Sequence, residues 1–250
     1  MNDTDFLRII IQTLILLSVA YASGCLVHHK GIKVNYTRKI NHFTLFFVPI
    51  FLDNIFPAHS PIESIIIGSC LAVVGLFIYI KPIRNNSRII ERMFLSFDRP
   101  EDRPNTLLWL SSQIIVGYLI LMPIIIYFFA VGFADLILIP ILVNGIGDGL
   151  AEPVGIRFGR IKYKTYALFT KKKYERTVEG SACVFFICII VIIFFNSGFT
   201  SSEFITVIII FPIVMTLAEA FAPHTWDTPF LFLFGFFTIY IVKTMPFVSH

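Results

Sequence analysis

The stretch LLWLSSQIIVGYLILMPIIIYFFA, residues 107–130, contains no charged residue. A helix needs about 20 mainly apolar residues to cross the hydrocarbon core of a bilayer. Backbone polar groups in lipid must be satisfied within the protein, and a continuous apolar run favours a helix over the alternating pattern of a barrel strand. This stretch therefore predicts a membrane-spanning helix.

Apolar runs of this kind recur along the whole chain of 250 residues, of which 56% are hydrophobic and 14% are charged. Soluble domains are about a quarter charged. The composition predicts an all-α, polytopic membrane helix bundle of about eight spans (seven or eight) in a single integral membrane domain, 1–250. The predicted spans are 6–27, 43–57, 62–80, 107–130, 132–150, 180–199, 203–222 and 228–247. Whether the short second run crosses fully is left open.

Basic residues lie almost entirely in alternate polar segments. Eighteen of the 20 Lys and Arg residues follow the first, third and fifth predicted spans, and the exceptions are Arg8 and Lys243. The positive-inside rule places these segments in the cytosol and both termini on the other side. Basic charge distributed in this way indicates topology and not nucleic-acid binding. The predicted cytosolic segments are 28–42, 81–106, 151–179 and 222–228.

Three consecutive lysines, Lys171, Lys172 and Lys173, are expected to contact anionic phospholipid headgroups. The first apolar run is expected to be retained as a span, because one arginine and two aspartates are atypical of a signal-peptide n-region. The four cysteines match no zinc spacing, and we expect them to be small packing residues.

Two carboxylates interrupt the apolar pattern in NGIGDGLAEPVGIRFGR, residues 144–160. Asp148 and Glu152 are four residues apart, so on a helix they share one face. Mg²⁺ binds one or two protein carboxylates together with substrate phosphates. Arg157 and Arg160 can hold phosphate charge. The spacing therefore predicts a metal and phosphate site near the end of the fifth predicted span.

Five glycines in the same segment allow two interpretations. Glycine permits a ligand to approach the backbone closely, which favours a binding loop. The alternative is a helix-packing segment with a solvated charged end, and the spacing Gly155-x-x-x-Gly159 suits that alternative.

Three further polar groups lie at predicted span ends. Arg38 and His42 are four residues apart and can bind phosphate and handle a proton, although snorkelling basic residues give the same pattern. Glu179 and Ser181 stand at a predicted helix start, where backbone N–H groups face an anion. Glu219 lies within an apolar run, so it should face the bundle interior.

Taken together, these segments resemble a known family. The segments are Arg38-Lys39-x-x-His42, Gly147-Asp148-Gly149-Leu150-Ala151-x-x-Val154-Gly155-x-x-Phe158-Gly159, Thr177-x-Glu179-Gly180-Ser181, and Glu219 with Pro223 and Asp227. In this order they resemble the CTP-dependent polyprenol, phytol and diacylglycerol kinases. That family is related to dolichol kinase and, more distantly, to phosphatidate cytidylyltransferases.

The resemblance implies a phosphotransferase with an alcohol group as acceptor, which transfers the γ-phosphoryl group of CTP, with Mg²⁺, to a membrane lipid alcohol at the cytosolic face. The implied catalytic residues are Asp148, Lys39 and His42. The nucleotide-binding residues are Arg38, Gly147, Gly149, Gly155, Arg157, Gly159, Arg160, Glu179, Gly180 and Ser181. The metal ligands are Asp148 and Glu152. Asn144, Glu219, His224 and Asp227 are expected to contact or support the lipid substrate.

Two alternatives stay open. A cytidylyltransferase of the related family would make a CDP-activated lipid. A transporter would use intramembrane carboxylates such as Asp53, Asp135 and Glu219. The choice among phytol, a polyprenol and diacylglycerol is also open, and so is the oligomeric state. The preference for CTP over ATP depends on the resemblance.

Overall fold

A computed structural model of the chain describes residues 3–57, 59, 61–168 and 170–245, with Asp3 described by its backbone alone. By its contacts the chain divides into two compact units, Met1–Ile115 and Val116–His250. The assignment of the whole chain to one integral membrane domain stays a prediction.

The first unit is built from long apolar helices joined by short amphipathic ones. Its helices are α1 (Asp3–Lys30), α2 (Val34–Ile55), α3 (Pro61–Gly75), α4 (Lys81–Asn86), α5 (Arg88–Leu95) and the beginning of α6 (Thr106–Ala130). A 3₁₀ turn, Leu76–Tyr79, continues α3. Ser87 caps α5, because its hydroxyl accepts a hydrogen bond from the backbone N–H of Ile90 at 3.4 Å.

Helix α5 lies against α1 over a small apolar cluster. Ala20, Tyr79, Met93 and Phe94 are buried there. Gly24 permits the close approach of the two helices, since a Cβ atom at this position would overlap the backbone carbonyl of Arg92. The amphipathic sequence of α5 thereby buries Met93 and Phe94 against a predicted span and leaves Arg88 and Glu91 exposed.

Polar side chains hold the end of α5 to α2. The Thr37 hydroxyl donates to the Ser96 carbonyl at 3.0 Å, and the Asn41 amide donates to the Ser96 hydroxyl at 3.1 Å. The chain then turns through a buried ion pair between Arg99 and Asp102, 2.7 Å apart. These hydrogen bonds and this ion pair satisfy the polar groups of the segment between α5 and α6, which has little apolar surface to bury.

The second unit is a helix bundle with one small sheet. Its elements are the remainder of α6, α7 (Leu138–Leu142), a π-helical turn (Val143–Asp148), α8 (Gly149–Phe158), β1 (Lys162–Ala167), β2 (Thr170–Thr177), α9 (Val178–Phe194), α10 (Ser201–Phe221) and α11 (Asp227–Thr244). Helix α9 packs against α8 and α10, and α10 packs against α11. The fully buried side chains Ile139, Val184, Phe211 and Phe236 form the interior.

The two strands form an antiparallel hairpin that the sequence analysis had treated as polar connection in an all-α bundle. Tyr163 pairs with Arg176 and Thr165 pairs with Tyr174, so these four side chains share one face. That face is buried or half-buried, whereas the lysines that alternate with it are exposed. In β1 exposed residues alternate with less exposed residues at every second position, which is the period of a strand and not the 3.6-residue period of a helix.

Six helical segments within the described residues are long and apolar enough to cross a membrane. They are Thr4–Lys30, Pro61–Tyr79, Thr106–Ala130, Ala134–Phe158, Ser201–Phe221 and Asp227–Thr244. The apolar helical bundle is thus confirmed. Helices α2 and α9 occupy the positions of the other two predicted spans, and their crossing stays a prediction. Positions 246 and 247 of the last predicted span lie outside the described residues.

The packing of α5 on α1 can be tested with a matched pair of glycine substitutions. We expect Gly24→Ala to destabilise the first unit by about 1–3 kcal/mol, because backbone must move to admit the methyl group. Gly68→Ala in α3 meets open space and should be neutral or stabilising. Thermal unfolding in detergent micelles compares the two. An unchanged midpoint for Gly24→Ala would show that the two helices do not approach this closely.

Candidate functional site

The predicted metal segment begins in the π-helical turn of the second unit. Asn144 and Asp148 are both buried in this turn, with Asp148 only 4% exposed. A Cβ atom at Gly147 would lie 3.5 Å from the Cα of Val184, so the turn rests directly on α9. Single π turns within α-helices are rare and frequent at functional sites. The turn places a carboxylate inside the most enclosed of the six candidate spans, Ala134–Phe158.

Glu152 follows Asp148 by one helical turn, on α8, and is half-buried. The two residues supply carboxylate oxygens, the donors that Mg²⁺ prefers. Among the described residues, no three His, Cys, Asp or Glu side chains gather into a metal site. A pair of carboxylates fits a Mg²⁺ ion whose remaining ligands are water and phosphate oxygens. Occupation by Mg²⁺ stays a prediction.

Three of the predicted nucleotide-binding glycines have a packing role. A Cβ atom at Gly155 would lie 2.6 Å from the Thr177 hydroxyl, and one at Gly180 would lie 2.7 Å from the Ala151 carbonyl. Gly159 likewise allows the Thr177 side chain to come close. These contacts favour the helix-packing interpretation of the glycines. A role in nucleotide binding stays a prediction for them and for Gly149.

The start of α9 is fixed by its own motif. The Thr177 hydroxyl accepts a hydrogen bond from the backbone N–H of Gly180 at 3.1 Å and caps the helix. The Glu179 carboxylate accepts bonds from the backbone N–H groups of Arg160, at 2.8 Å, and Ile161, at 3.3 Å. Glu179 thereby orders the loop between α8 and the hairpin. The side chains of Arg157 and Arg160 are exposed beside it.

A buried polar cluster joins the hairpin to α9, α10 and α11. Arg176 forms ion pairs with Glu219, at 2.8 Å, and with Asp227. Its guanidinium also donates to the backbone carbonyls of Glu219 and Ala222. The Ser181 hydroxyl donates to the Glu219 carboxylate at 2.7 Å. We call Tyr163, Arg176, Ser181, Glu219 and Asp227 the carboxylate cluster.

Tyr163 completes the cluster from β1. Its phenol lies 2.6 Å from the Ser181 hydroxyl. Because the single proton of Ser181 is donated to Glu219, the phenol is the donor in this bond. Burial, and next the negative charge of Glu219, raise the pKa of Tyr163 above its usual value. The phenol therefore remains a donor at neutral pH.

Arg176 carries a permanent charge inside the cluster. Burial lowers the pKa of its guanidinium, but the opposing effects of Asp227 and Glu219 are together larger, so the pKa lies above the usual value. Two carboxyl groups share this one guanidinium. The cluster therefore satisfies its hydrogen bonds without becoming electropositive.

The carboxylate cluster adjoins the π-helical turn. Gly147, next to Asp148, contacts the α9 backbone at Val184, three residues after Ser181. The Thr228 hydroxyl donates to the Asn144 side-chain oxygen at 3.4 Å. Residues that are far apart in the sequence thus meet in one region of the second unit. They are Asn144, Asp148, Ser181, Glu219 and Asp227.

His224 holds the connection between α10 and α11 against the hairpin. Its ring stacks on Tyr174 with centroids 3.6 Å apart and an interplanar angle of 6°. Its backbone N–H donates to the Tyr166 carbonyl at 2.7 Å. These contacts give His224 a structural role, and contact with a lipid substrate stays a prediction.

The remaining predicted residues lie in the first unit, on α2. Lys39 is 5% exposed, and Arg38 and His42 are half-buried. The His42 ring lies 4.8 Å from the ring of Phe46. A buried lysine beside a histidine suits phosphate binding and proton handling. Those roles stay predictions.

The sequence analysis did not select Tyr163 or Arg176. The alternation of residues in 162–177 would have placed both on one face of a hairpin. Arg176 also directly precedes the Thr177 motif. Comparison of the chain with protein-family models, curated proteins and solved structures finds no match.

The importance of Arg176 can be tested against an exposed ion pair in the same hairpin. We expect Arg176→Met to destabilise the protein by about 3–5 kcal/mol, because it leaves the buried Glu219 and the partly buried Asp227 without their cation. Lys162→Met removes an exposed pair with Glu175, in which both side chains are more than half exposed, and should change stability little. Circular dichroism during heating measures both variants. Equal unfolding midpoints would contradict a stabilising role of the cluster.

Proposed function

We propose that the protein is a membrane lipid kinase that transfers the γ-phosphoryl group of CTP to the hydroxyl of a lipid alcohol. One observation carries the proposal. The predicted residues Asp148, Ser181, Glu219 and Asp227, which come from three of the four motif segments, meet in a buried region of the second unit. Buried ionisable residues in an apolar bundle are costly and are usually functional.

The position of this region supports a lipid acceptor. Asp148 precedes the last ten residues of a candidate span, and Glu219 lies two residues before the end of another. A lipid alcohol presents its hydroxyl near headgroup depth, while a nucleotide arrives from water. The helix ends that carry Ser181, Glu219 and Asp227 can therefore receive the lipid hydroxyl, whereas Asp148 lies about 15 Å inside the end of its span.

Asp148 and Glu152 would hold Mg²⁺, which when bound supplies positive charge against the phosphates. Phosphoryl transfer depends mainly on positioning and charge neutralisation. The oxygen of the lipid hydroxyl forms a bond to the γ-phosphorus, and the bond to the β-phosphate oxygen breaks. The products are the lipid monophosphate, CDP and a proton. Arg157 and Arg160 are exposed cations that can attract the nucleotide.

The proposed roles of Arg38, Lys39 and His42 in phosphate neutralisation and proton handling rest on the family resemblance. The placement of basic residues in alternate polar segments supports a cytosolic orientation of the site. Exposed Lys171, Lys172 and Lys173 on β2 suit contact with anionic headgroups.

A radiolabel transfer assay on the purified full chain in detergent–lipid micelles tests the proposal. The protein receives CTP labelled at the γ-phosphate, Mg²⁺ and, in separate reactions, phytol, a polyprenol or diacylglycerol. Label in an organic-soluble lipid phosphate supports the kinase and identifies the acceptor class. If no acceptor takes label, CTP labelled at the α-phosphate with phosphatidic acid tests for a cytidylyltransferase, which releases pyrophosphate. A positive result there, or failure of both reactions, overturns the kinase proposal.

Substitution of the buried carboxylate should separate function from folding. We expect Asp148→Asn to reduce phosphoryl transfer at least a hundredfold, because the amide cannot supply the negative ligand oxygen that Mg²⁺ requires. The matched control is Asp135→Asn, which changes an exposed carboxylate of the same unit before α7. Transfer rates and gel-filtration profiles are measured for both. Retained phosphoryl transfer by Asp148→Asn would contradict the assignment of Asp148 as a metal ligand.

Chelation tests the metal separately. We expect EDTA to abolish transfer and added Mg²⁺ to restore it, since the proposed site has too few protein ligands to retain the ion strongly. Glu152→Gln should raise the Mg²⁺ concentration needed for half-maximal rate. An unchanged Mg²⁺ dependence in that variant would exclude Glu152 as a ligand.

A further inference from the structure

The connection between α10 and α11 contains a strained residue. The backbone N–H of Trp226 donates to the Pro223 carbonyl at 2.9 Å, which closes a four-residue turn. Thr225 is the third residue of this turn and has φ of 67°, the one positive value among the described residues other than glycine. A type II turn requires positive φ at its third position and favours Gly or Asn there. A β-branched residue in this conformation is unusual.

The Thr225 side chain is also buried and polar. It is 5% exposed, and its hydroxyl has no hydrogen-bond partner among the residues that the structure describes. A buried hydroxyl without a partner destabilises a protein. Glycine at this position would remove both the backbone strain and the unpaired group. Thr225 therefore has two unfavourable features at one position.

The neighbours of Thr225 explain how this conformation persists. On one side, His224 is held to the hairpin by its ring and its backbone. On the other side, Asp227 is paired with Arg176, and Thr228 bonds to Asn144. Strained residues persist where the surrounding structure fixes them, and they concentrate at functional sites.

We infer that the Thr225 hydroxyl is a hydrogen-bond contact for the hydroxyl of the lipid acceptor. This inference rests on the proposed function. A threonine hydroxyl both donates and accepts, which suits an alcohol. Thr225 lies two residues before Asp227, which is paired with Arg176 in the adjoining carboxylate cluster.

Three substitutions separate the effect of the Thr225 hydroxyl from the effect of its strained backbone. Thr225→Val keeps the branched shape and removes the hydroxyl. Thr225→Ser keeps the hydroxyl on a smaller side chain. Thr225→Gly removes both the hydroxyl and the strain. The control, Thr206→Val, removes a hydroxyl on α10 that donates to the Ser202 carbonyl of its own helix at 2.9 Å.

Steady-state kinetics of the full chain in mixed micelles measure KM for the lipid alcohol and for CTP. We expect Thr225→Val to raise KM for the lipid about tenfold, the loss of one hydrogen bond to substrate, with KM for CTP unchanged. Thr225→Ser and the Thr206→Val control should stay near the original values. Thr225→Gly should show the same increase in KM while its thermal midpoint rises by about 2–4 °C.

The outcomes distinguish the two levels of the proposal. If the unaltered protein phosphorylates no lipid alcohol, the proposed function fails and this inference fails with it. If that protein is active and Thr225→Val and Thr225→Gly bind the lipid normally, the function stands and the contact is wrong. An equal increase in KM for Thr225→Ser would also overturn the contact, because the hydroxyl would not be the group that matters. Should Thr225→Val not fold, the comparison of Ser with Gly decides.

Discussion

The ion pairs of Arg176 with Glu219 and Asp227 are the interaction on which the second unit depends. One guanidinium joins a strand, the end of α10 and the start of α11, and its carbonyl bonds also fix the backbone where α10 ends. Burial of any one of these charges alone would be strongly unfavourable. The three groups are stable only together. The position of the hairpin over the helix ends follows from this mutual dependence.

Close approach of backbone is the second constraint. Gly155 and Gly180 let α8 and α9 approach each other at the Thr177 cap, and the π-helical turn contacts α9 at Val184. These contacts set the distance between the helix that carries Asp148 and the helix that carries Ser181. These contacts favour a helix-packing role for the glycine-rich segment, and its role in nucleotide binding stays a prediction.

Much of the fold could be predicted from the sequence, because lipid leaves few choices for an apolar run of about 20 residues. Each predicted span corresponds to a helix, including the short second run, which is part of α2. The hairpin was missed because its alternation lies within a basic segment that had been interpreted by charge and not by period. The π-helical turn was also not predictable, since no local sequence rule specifies where hydrogen bonds of π-helical spacing replace those of an α-helix.

The candidate site was predictable in part. Asp148 and Glu219 stood out as carboxylates within apolar runs, whereas Asp227 was selected through the family resemblance, and the structure joins Glu219 and Asp227 through Arg176. Tyr163 and Arg176 did not stand out, because tyrosine and arginine are ordinary residues in a surface loop. Their importance appears only when the register of the two strands places them opposite each other. Thr225 gave no signal, since positive φ is not visible in the residue type.

The chain order of the buried cluster has a consequence for biosynthesis. Arg176 precedes Glu219 by 43 residues and Asp227 by 51. During synthesis the cation is therefore in place before either carboxylate leaves the ribosome. The Glu219 carboxyl group of α10 is thus synthesised after the cation that neutralises it. A partner for this buried acid is therefore already present in the nascent chain when α10 packs against α9.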